Sequence, residues 1–419
     1  MAILSFRPRS VPRLNVVFAG ATILAACASA PHHPEPSLTA AERAQLANDT
    51  AQLERRLAAS PDDAGIRYSL CATYDQARKV PEALRCLETL DQRGWPVSIE
   101  PGDFDASHLR PEFQALLRRS DARALRVDRS RVAFVAPAEI VPENVAFDPK
   151  TGAFFLGSLS LRKVVRIVDG RIQDFTRGEV LPPLLSVVGM KVDPLRRTLW
   201  AATEREHGAE KGQSALVLFD VDTGEIVRRF APDDGQPHLF NDVVVTAAED
   251  VFVTDSVGGG IYRVSARGPL RAFVPPGTFT YPNGIALSSD EKKLFVAFDA
   301  GIAVVDTATG AHSELENASP HSIAGIDGLY VHHDGLLAVQ NGIGRPRVVR
   351  FALDSKASRV TGGEVLESGN PYFHSPTTGV LVGNRFYYVA NCEDRNLGPE
   401  GQAPIRPLHD VRILSLDLP

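Results

Sequence analysis

Two periodicities divide the chain. Between residues 38 and 130 apolar side chains recur at helical intervals: Leu46, Leu53 and Leu57 in one stretch, Leu70, Cys71 and Tyr74 in a second, Ala83, Leu84 and Leu87 in a third. A further helix is predicted over 111–117. Thr39, followed three residues on by Glu42, reads as a capping box at the start of the first helix, Ser60-Pro61-Asp62 separates it from the second, and Gly94 ends the third. From about residue 131 the helical spacing gives way to short alternating apolar runs set between Gly, Asp and Asn turns, the pattern of strands.

The strand-like part repeats. Glu143-Asn144-Val145-Ala146-Phe147, Val188-Gly189-Met190-Lys191-Val192, Asn241-Asp242-Val243-Val244-Val245, Asn283-Gly284-Ile285-Ala286-Leu287, Asp327-Gly328-Leu329-Tyr330-Val331 and Thr378-Gly379-Val380-Leu381-Val382 open successive cycles, with spacings of 45, 53, 42, 44 and 51 residues. A turn follows each, plainest at 148–152 and 288–291. A second hydrophobic strand comes next, at 153–156, 199–202, 251–254, 294–297, 336–339 and 386–390. A period in the forties built from short strands predicts a mainly β protein, a six-bladed β-propeller over 131–419 behind an N-terminal α-helical domain over 38–130. An open solenoid of β-repeats is the alternative; six is a common closing number, and closure is the preferred reading.

Composition agrees with a folded, turn-rich chain, since the 33 Gly and 30 Pro supply the punctuation that many short strands need. The formal charge of −6 creates no field that would gather polyanions, so nucleic acid is excluded as a partner.

Residues 1–27 read as an address. Arg7, Arg9 and Arg13 precede an uncharged run over 14–26, which at about thirteen residues is too short to span a bilayer and matches an export signal. The run ends in Leu24-Ala25-Ala26-Cys27, which resembles the bacterial lipobox. That resemblance implies acylation of Cys27 as the mature N-terminus and, with Ala28 next, a lipid-anchored periplasmic protein at the outer membrane. An ordinary cleaved signal with an incidental Cys is the alternative. Residues 28–37, with Pro31, Pro34 and Pro36, then form an extended tether.

Three further cysteines, Cys71, Cys86 and Cys392, have no zinc-type spacing. In an oxidising compartment Cys71 and Cys86 either bridge two helices or remain a pair of small buried thiols, and spacing leaves both open, the thiol pair being preferred. Leu70, Tyr74, Ala83 and Leu87 stand where a tetratricopeptide hairpin places its packing residues, so the helical segment resembles one such unit, with Cys71 in a slot usually held by Gly. A single repeat cannot bury its own face, so the flanking helices must complete it. The segment then serves either as a docking surface, for a protein partner or for the neighbouring domain, or as a spacer from the membrane, the slightly preferred reading.

One column of the repeat carries chemistry. The residues two places before each apolar triplet are Glu143, Val188, Asn241, Asn283, Asp327 and Thr378. In a propeller this position lies where the innermost strand begins, so the side chains converge at one mouth of the central channel. Four are carboxylate or carboxamide residues, and such oxygen donors suit a hard divalent metal, calcium before magnesium or manganese. Turn capping by Asn and Asp is the competing explanation, but it gives no reason for Glu143 in the same register.

The same stretches, Pro142-Glu143-Asn144 to Phe155, Phe240-Asn241-Asp242 to Ser256, Tyr281-Pro282-Asn283-Gly284 to Ala297 and Ile326-Asp327-Gly328 to Val339, make residues 131–419 resemble the senescence marker protein/gluconolactonase family and its relatives, the paraoxonase-type arylesterases. The resemblance implies a six-bladed propeller with a divalent metal, usually calcium, in the channel, held or contacted by Glu143, Asn241, Asn283 and Asp327. It places Asp242 at a second, deeper calcium of the arylesterase branch. Val188 stands where that branch has a His, and Leu239 where gluconolactonases have an Arg, which turns the expectation from a polyhydroxylated acid towards a less polar lactone or ester.

The expected activity is therefore metal-dependent hydrolysis of a lactone or ester by a polarised carbonyl and an activated water. Asp327 is one candidate base, with His238, His321 and His374, in connections leading to the third, fifth and sixth inner strands, as the others. Glu204 and His207 in the long second-blade excursion suggest a lid. No Gly-x-Ser-x-Gly elbow is present. The rival class is a non-catalytic periplasmic scaffold, in which propeller and helices only bind partners.

Overall fold

The computed structural model describes residues 38–94, 98–176, 183–205, 212–265, 268–398 and 403–419. Cys27, the signal and the tether lie outside them, as does His207.

The six cycles form six antiparallel sheets. Blades 1 to 4 take their four strands in chain order from residues 142–174, 186–230, 240–274 and 285–314. Blade 5, over 326–368, gains a fifth, two-residue strand, Glu316–Asn317, parallel to its outer strand Arg359–Ser368. Blade 6 closes the ring. Its inner strands come from 379–417, and its outermost strand is Arg131–Ala136, from the start of the propeller segment, paired with Val411–Asp417. Joining both ends of the segment in one sheet leaves no blade to peel away and protects strand edges.

Between blades, side chains of facing sheets interdigitate. Phe155, Val187, Leu199 and Phe219 fill the space between blades 1 and 2, Phe252, Ile285 and Leu294 that between 3 and 4, and Val339, Leu366, Phe386 and Leu414 that between 5 and 6. Each such residue contributes about 1.5–3 kcal/mol relative to exposure. The stability of the ring is thereby distributed over repeated interfaces.

Four helices precede it: α1 Ala40–Ala59, α2 Ala64–Gln76, α3 Val80–Arg93 and α4 Pro111–Arg123. At the start of α1 the Arg43 N–H donates to the Thr39 carbonyl, whereas the Glu42 side chain lies outside the described residues. Asp63 caps α2, its carboxylate accepting from the N–H groups of Gly65 and Ile66. Cys71 and Cys86 are joined by a disulfide with Cα atoms 5.3 Å apart, so the preferred thiol pair gives way to the bridge. The reason is that α2 and α3 pack antiparallel with these two positions facing. Among the described residues no helix is long and apolar enough to cross a membrane.

The helical core is not self-contained. Tyr68, Leu87, Phe104 and Phe113 share one buried cluster with Ala324 and Ile343 of the propeller. Arg56 pairs with Glu314 at 2.9 Å and lies over the Phe298 ring, Arg345 pairs with Asp121 at 2.6 Å, and Val127 bridges to Ser368. The helices thus pack against the propeller at blades 4 and 5. Ala324 precedes the innermost strand of blade 5 and Ile343 follows its second strand, so this contact is at the end of the blade where the channel mouth opens.

Candidate functional site

The inner strands begin irregularly, and that irregularity lies on the predicted column. The ladder between first and second strands shifts register between Pro142 and Val145, Val187 and Met190, Phe240 and Val243, and Ile326 and Gly328. Residues 143–144, 188–189, 241–242 and 327 fall in these β-bulges, which release them from strand pairing and re-aim their side chains. In blade 4 the strand starts at Ile285, leaving Asn283 just ahead of it. Val141, Tyr281 and Ser375, each directly before a proline at the entry to an inner strand, have φ of 41°, 50° and 63°. A left-handed β-branched valine is strained, and such strain collects where a scaffold holds side chains for chemistry.

Close approach of the blades brings the column together. A Cβ at Gly284 would stand 2.4 Å from the Asp327 carbonyl oxygen, and one at Gly189 would stand 2.2 Å from the Asn241 carbonyl oxygen, so neither position admits a side chain. Across blades 6 and 1, Thr377 and Thr378 hydroxyls donate to the Glu143 carbonyl at 2.6 and 2.9 Å. Across blades 3 and 4, Thr254 donates to the Asn283 carbonyl and Ser256 to the Pro282 carbonyl.

These bonds orient the carboxamides. The Ser256 hydroxyl proton is committed to Pro282, so towards Asn241 it accepts, and Asn241 must present Nδ2 to it, at 3.1 Å. By the same logic Thr378, donating to Glu143, accepts Asn144 Nδ2 at 2.7 Å. The remaining oxygens of Asn144 and Asn241, and that of Asn283, are buried without a hydrogen-bond partner. A buried acceptor left unmatched is costly, on the order of 1–3 kcal/mol, and three such oxygens at the starts of inner strands call for a cation or another donor. Asp327 Oδ2 accepts from Asn341 Nδ2 at 2.5 Å, and the same nitrogen donates to the Pro376 carbonyl at 2.9 Å.

Charge gathers here as well. Tyr330, half-buried on the inner strand of blade 5, has its hydroxyl pKa pushed well up by burial and then by Asp242, Glu143 and Asp327, so all three carboxylates act electrostatically on one hydroxyl. Burial raises the Asp242 carboxyl to about 6, with Asp327 adding to the rise and Lys191 opposing it. Both Asp242 oxygens accept backbone N–H groups, from Val243 at 2.8 Å and Ile285 at 3.1 Å. Among the described residues no group of three or more His, Cys, Asp and Glu side chains is arranged to hold a metal. The donor set here is instead a mixture of carboxylates and carboxamides, suited to a hard cation.

The histidines separate. His238 is buried with Nδ1 2.6 Å from Asp255 and Nε2 2.9 Å from Asp234, so both ring nitrogens are engaged; burial alone would lower its pKa, and the two carboxylates outweigh it and raise it. His321 packs against Gly363 of the outer strand of blade 5, and burial, then Arg347, lowers its pKa. His374 is exposed beside Ser375–Thr378 at the mouth, its ring stacked on His409. Glu204 is buried at the end of the second strand of blade 2. Asn341 and Ser256 went unnoticed in the sequence, although each ends or follows a second strand, fourteen residues after Asp327 and fifteen after Asn241. Lys191 was also passed over. A groove of about 550 Å³ between blades 2 and 3, floored by Trp200 and Phe230, lies near the hairpins at the opposite ends of the strands, away from the column.

No protein-family model and no curated protein matches the sequence. Among solved structures, a gluconolactonase from Xanthomonas campestris aligns at 17% identity and a TM-score of 0.48 over 71% of this chain and 92% of its own. A PQQ-bound aldose sugar dehydrogenase from Streptomyces coelicolor aligns at 16% identity and a TM-score of 0.48, over 69% and 97%. A streptogramin B lyase aligns at 18% and 0.46, over 62% and 79%. At these identities the likeness is one of architecture.

Proposed function

We propose that the protein is a divalent-cation-dependent hydrolase of a lactone or ester, with calcium as the resident ion. The observation that carries this reading is the pair of buried, unmatched amide oxygens on Asn241 and Asn283, in the same column of the repeat as the carboxylates Glu143 and Asp327. A scaffold gains nothing from such costly acceptors, whereas a cation site requires them. Glu143, Asn241, Asn283 and Asp327 would hold the ion, with Asp242 adding negative potential nearby.

A divalent cation bound there supplies Lewis-acid polarisation of the carbonyl under attack. The chain's own residues do the rest. Asp327 receives the proton of the attacking water, and Asn341, bonded to Asp327 Oδ2 and tied to Pro376, holds that carboxylate in one orientation. His374, exposed at the mouth, is the histidine with access to pass a proton to solvent; His238 serves instead to brace the loop before Asn241. Buried Val188 and Leu239 contribute apolar surface near the column, which favours a substrate of modest polarity.

The reading extends to placement in the cell: Cys27 anchors a periplasmic protein to the outer membrane, and the tetratricopeptide-like segment packs on its own propeller while leaving an outer face for a protein partner. Elemental analysis, melting with and without chelator, and turnover of aryl acetates and γ- and δ-lactones test the catalytic proposal. Bound calcium, a lower melting temperature in chelator and cation-dependent turnover are expected; no thermal shift and no turnover would favour the scaffold.

A further inference from the structure

Blade 2 differs from its neighbours along the channel. Its column residue is Val188, and the middle of its apolar triplet is Lys191, where the other blades have Ala146, Val244, Ala286, Tyr330 and Leu381. Two residues before Lys191, Gly189 presses on blade 3, where a Cβ would stand 2.8 Å from the Asp242 Cα. Lys191 thus stands two residues further along the strand that presses on Asp242. Its side chain is exposed between the buried Met190 and Val192, and its ammonium favours the ionised Asp242 carboxylate.

Asp242 and the carboxamide group differ in what they lack. The Asp242 oxygens already accept two backbone N–H groups, and the Lys191 charge acts in favour of the ionised carboxylate. Asn241 and Asn283 hold oxygens for which the described residues provide no donor. A second divalent ion at Asp242 would meet the like charge of Lys191 and be repelled by it.

We infer that Lys191 is a built-in cation for Asp242, so that the channel takes one divalent cation, at the Asn241 and Asn283 group, and no second one at Asp242. The inference rests on the cation-dependent reading above and adds the number of ions and the residue that sets it.

The test is calcium binding to the full chain by titration calorimetry at pH 8, with stoichiometry checked by elemental analysis after dialysis. One calcium per chain is expected for the parent and for Lys191→Arg, two for Lys191→Met, and one again for Lys191→Met combined with Asp242→Asn. Lys191→Gln, which keeps a polar head, carries the same expectation should Lys191→Met fail to fold. A folded Lys191→Met or Lys191→Gln protein that binds one calcium with the parent's affinity overturns the inference and leaves the cation-dependent reading standing, as does a parent that binds two. A parent that binds no divalent cation overturns both.

Discussion

The helical segment and the propeller are stabilised in opposite ways. The ring spreads its stability over repeated blade interfaces and a closing strand pair, so no single side chain decides whether it forms. The four helices depend on a few irreplaceable contacts: one disulfide, one capped helix, and a core finished by Ala324 and Ile343 from outside the segment. Chemistry is divided the other way. The unmatched amide oxygens of the column and its carboxylates belong to the ring, and among the described residues the helices approach that column through the loops flanking Asp327 and Asn341. Stability thus rests on few contacts in the helices and on many in the ring that carries the proposed site.

This contrast is open to direct attack. The largest effect is expected from Asp327→Ala, which should lower turnover of the best lactone or aryl ester by about 100-fold or more, the usual worth of a positioned base, while the melting temperature in chelator stays near the parent's. Retained turnover would remove Asp327 from the mechanism. Cys71→Ala is the mirror image: stability should fall by about 2–4 kcal/mol in denaturant titrations, with turnover per folded molecule unchanged. If turnover falls in step, the helices reach further into the site than their contacts indicate.

Asn341→Ala probes the seam between the regions and should weaken calcium binding by about 10- to 100-fold, as loss of an outer partner of a ligand does, without unfolding the blade. A smaller, pH-dependent effect is expected at His238. Its folded pKa is raised, so its pairing with Asp255 and Asp234 stabilises the protein fully below the ordinary histidine pKa and ceases to do so as pH rises through the folded value. The stability difference between parent and His238→Gln should therefore be larger at pH 5.5 than at pH 9, and a flat difference would deny the ion pair. Least of all, Arg56→Ala should cost under about 1 kcal/mol, because its partner Glu314 is largely exposed.

Much of this arrangement was legible beforehand. Six blades, their inner strands and the column at 143, 241, 283 and 327 follow from a repeated spacing, since each blade is a local unit whose pattern restates itself. Lys191 was visible too, as a charge in the middle of an otherwise apolar triplet, and Asn341 as a carboxamide ending the strand opposite Asp327. Other features left no local mark. Nothing near residue 71 announces a bond to residue 86, and nothing in the helices announces Ala324 and Ile343 as their missing core. The engagement of His238 Nδ1 likewise depends on Asp255, which only strand pairing delivers.

Patterning of apolar and turn residues by itself determined the class of fold, the blade count and the identity of the oxygen-bearing column, because periodicity is a property of neighbours along the chain. Tertiary structure alone decided which amide oxygens are left unmatched, which histidine is already committed, and where the helices rest. Those outcomes depend on partners far apart in sequence that meet only when the ring closes, and a hydrogen bond or a counter-charge exists only between groups that meet.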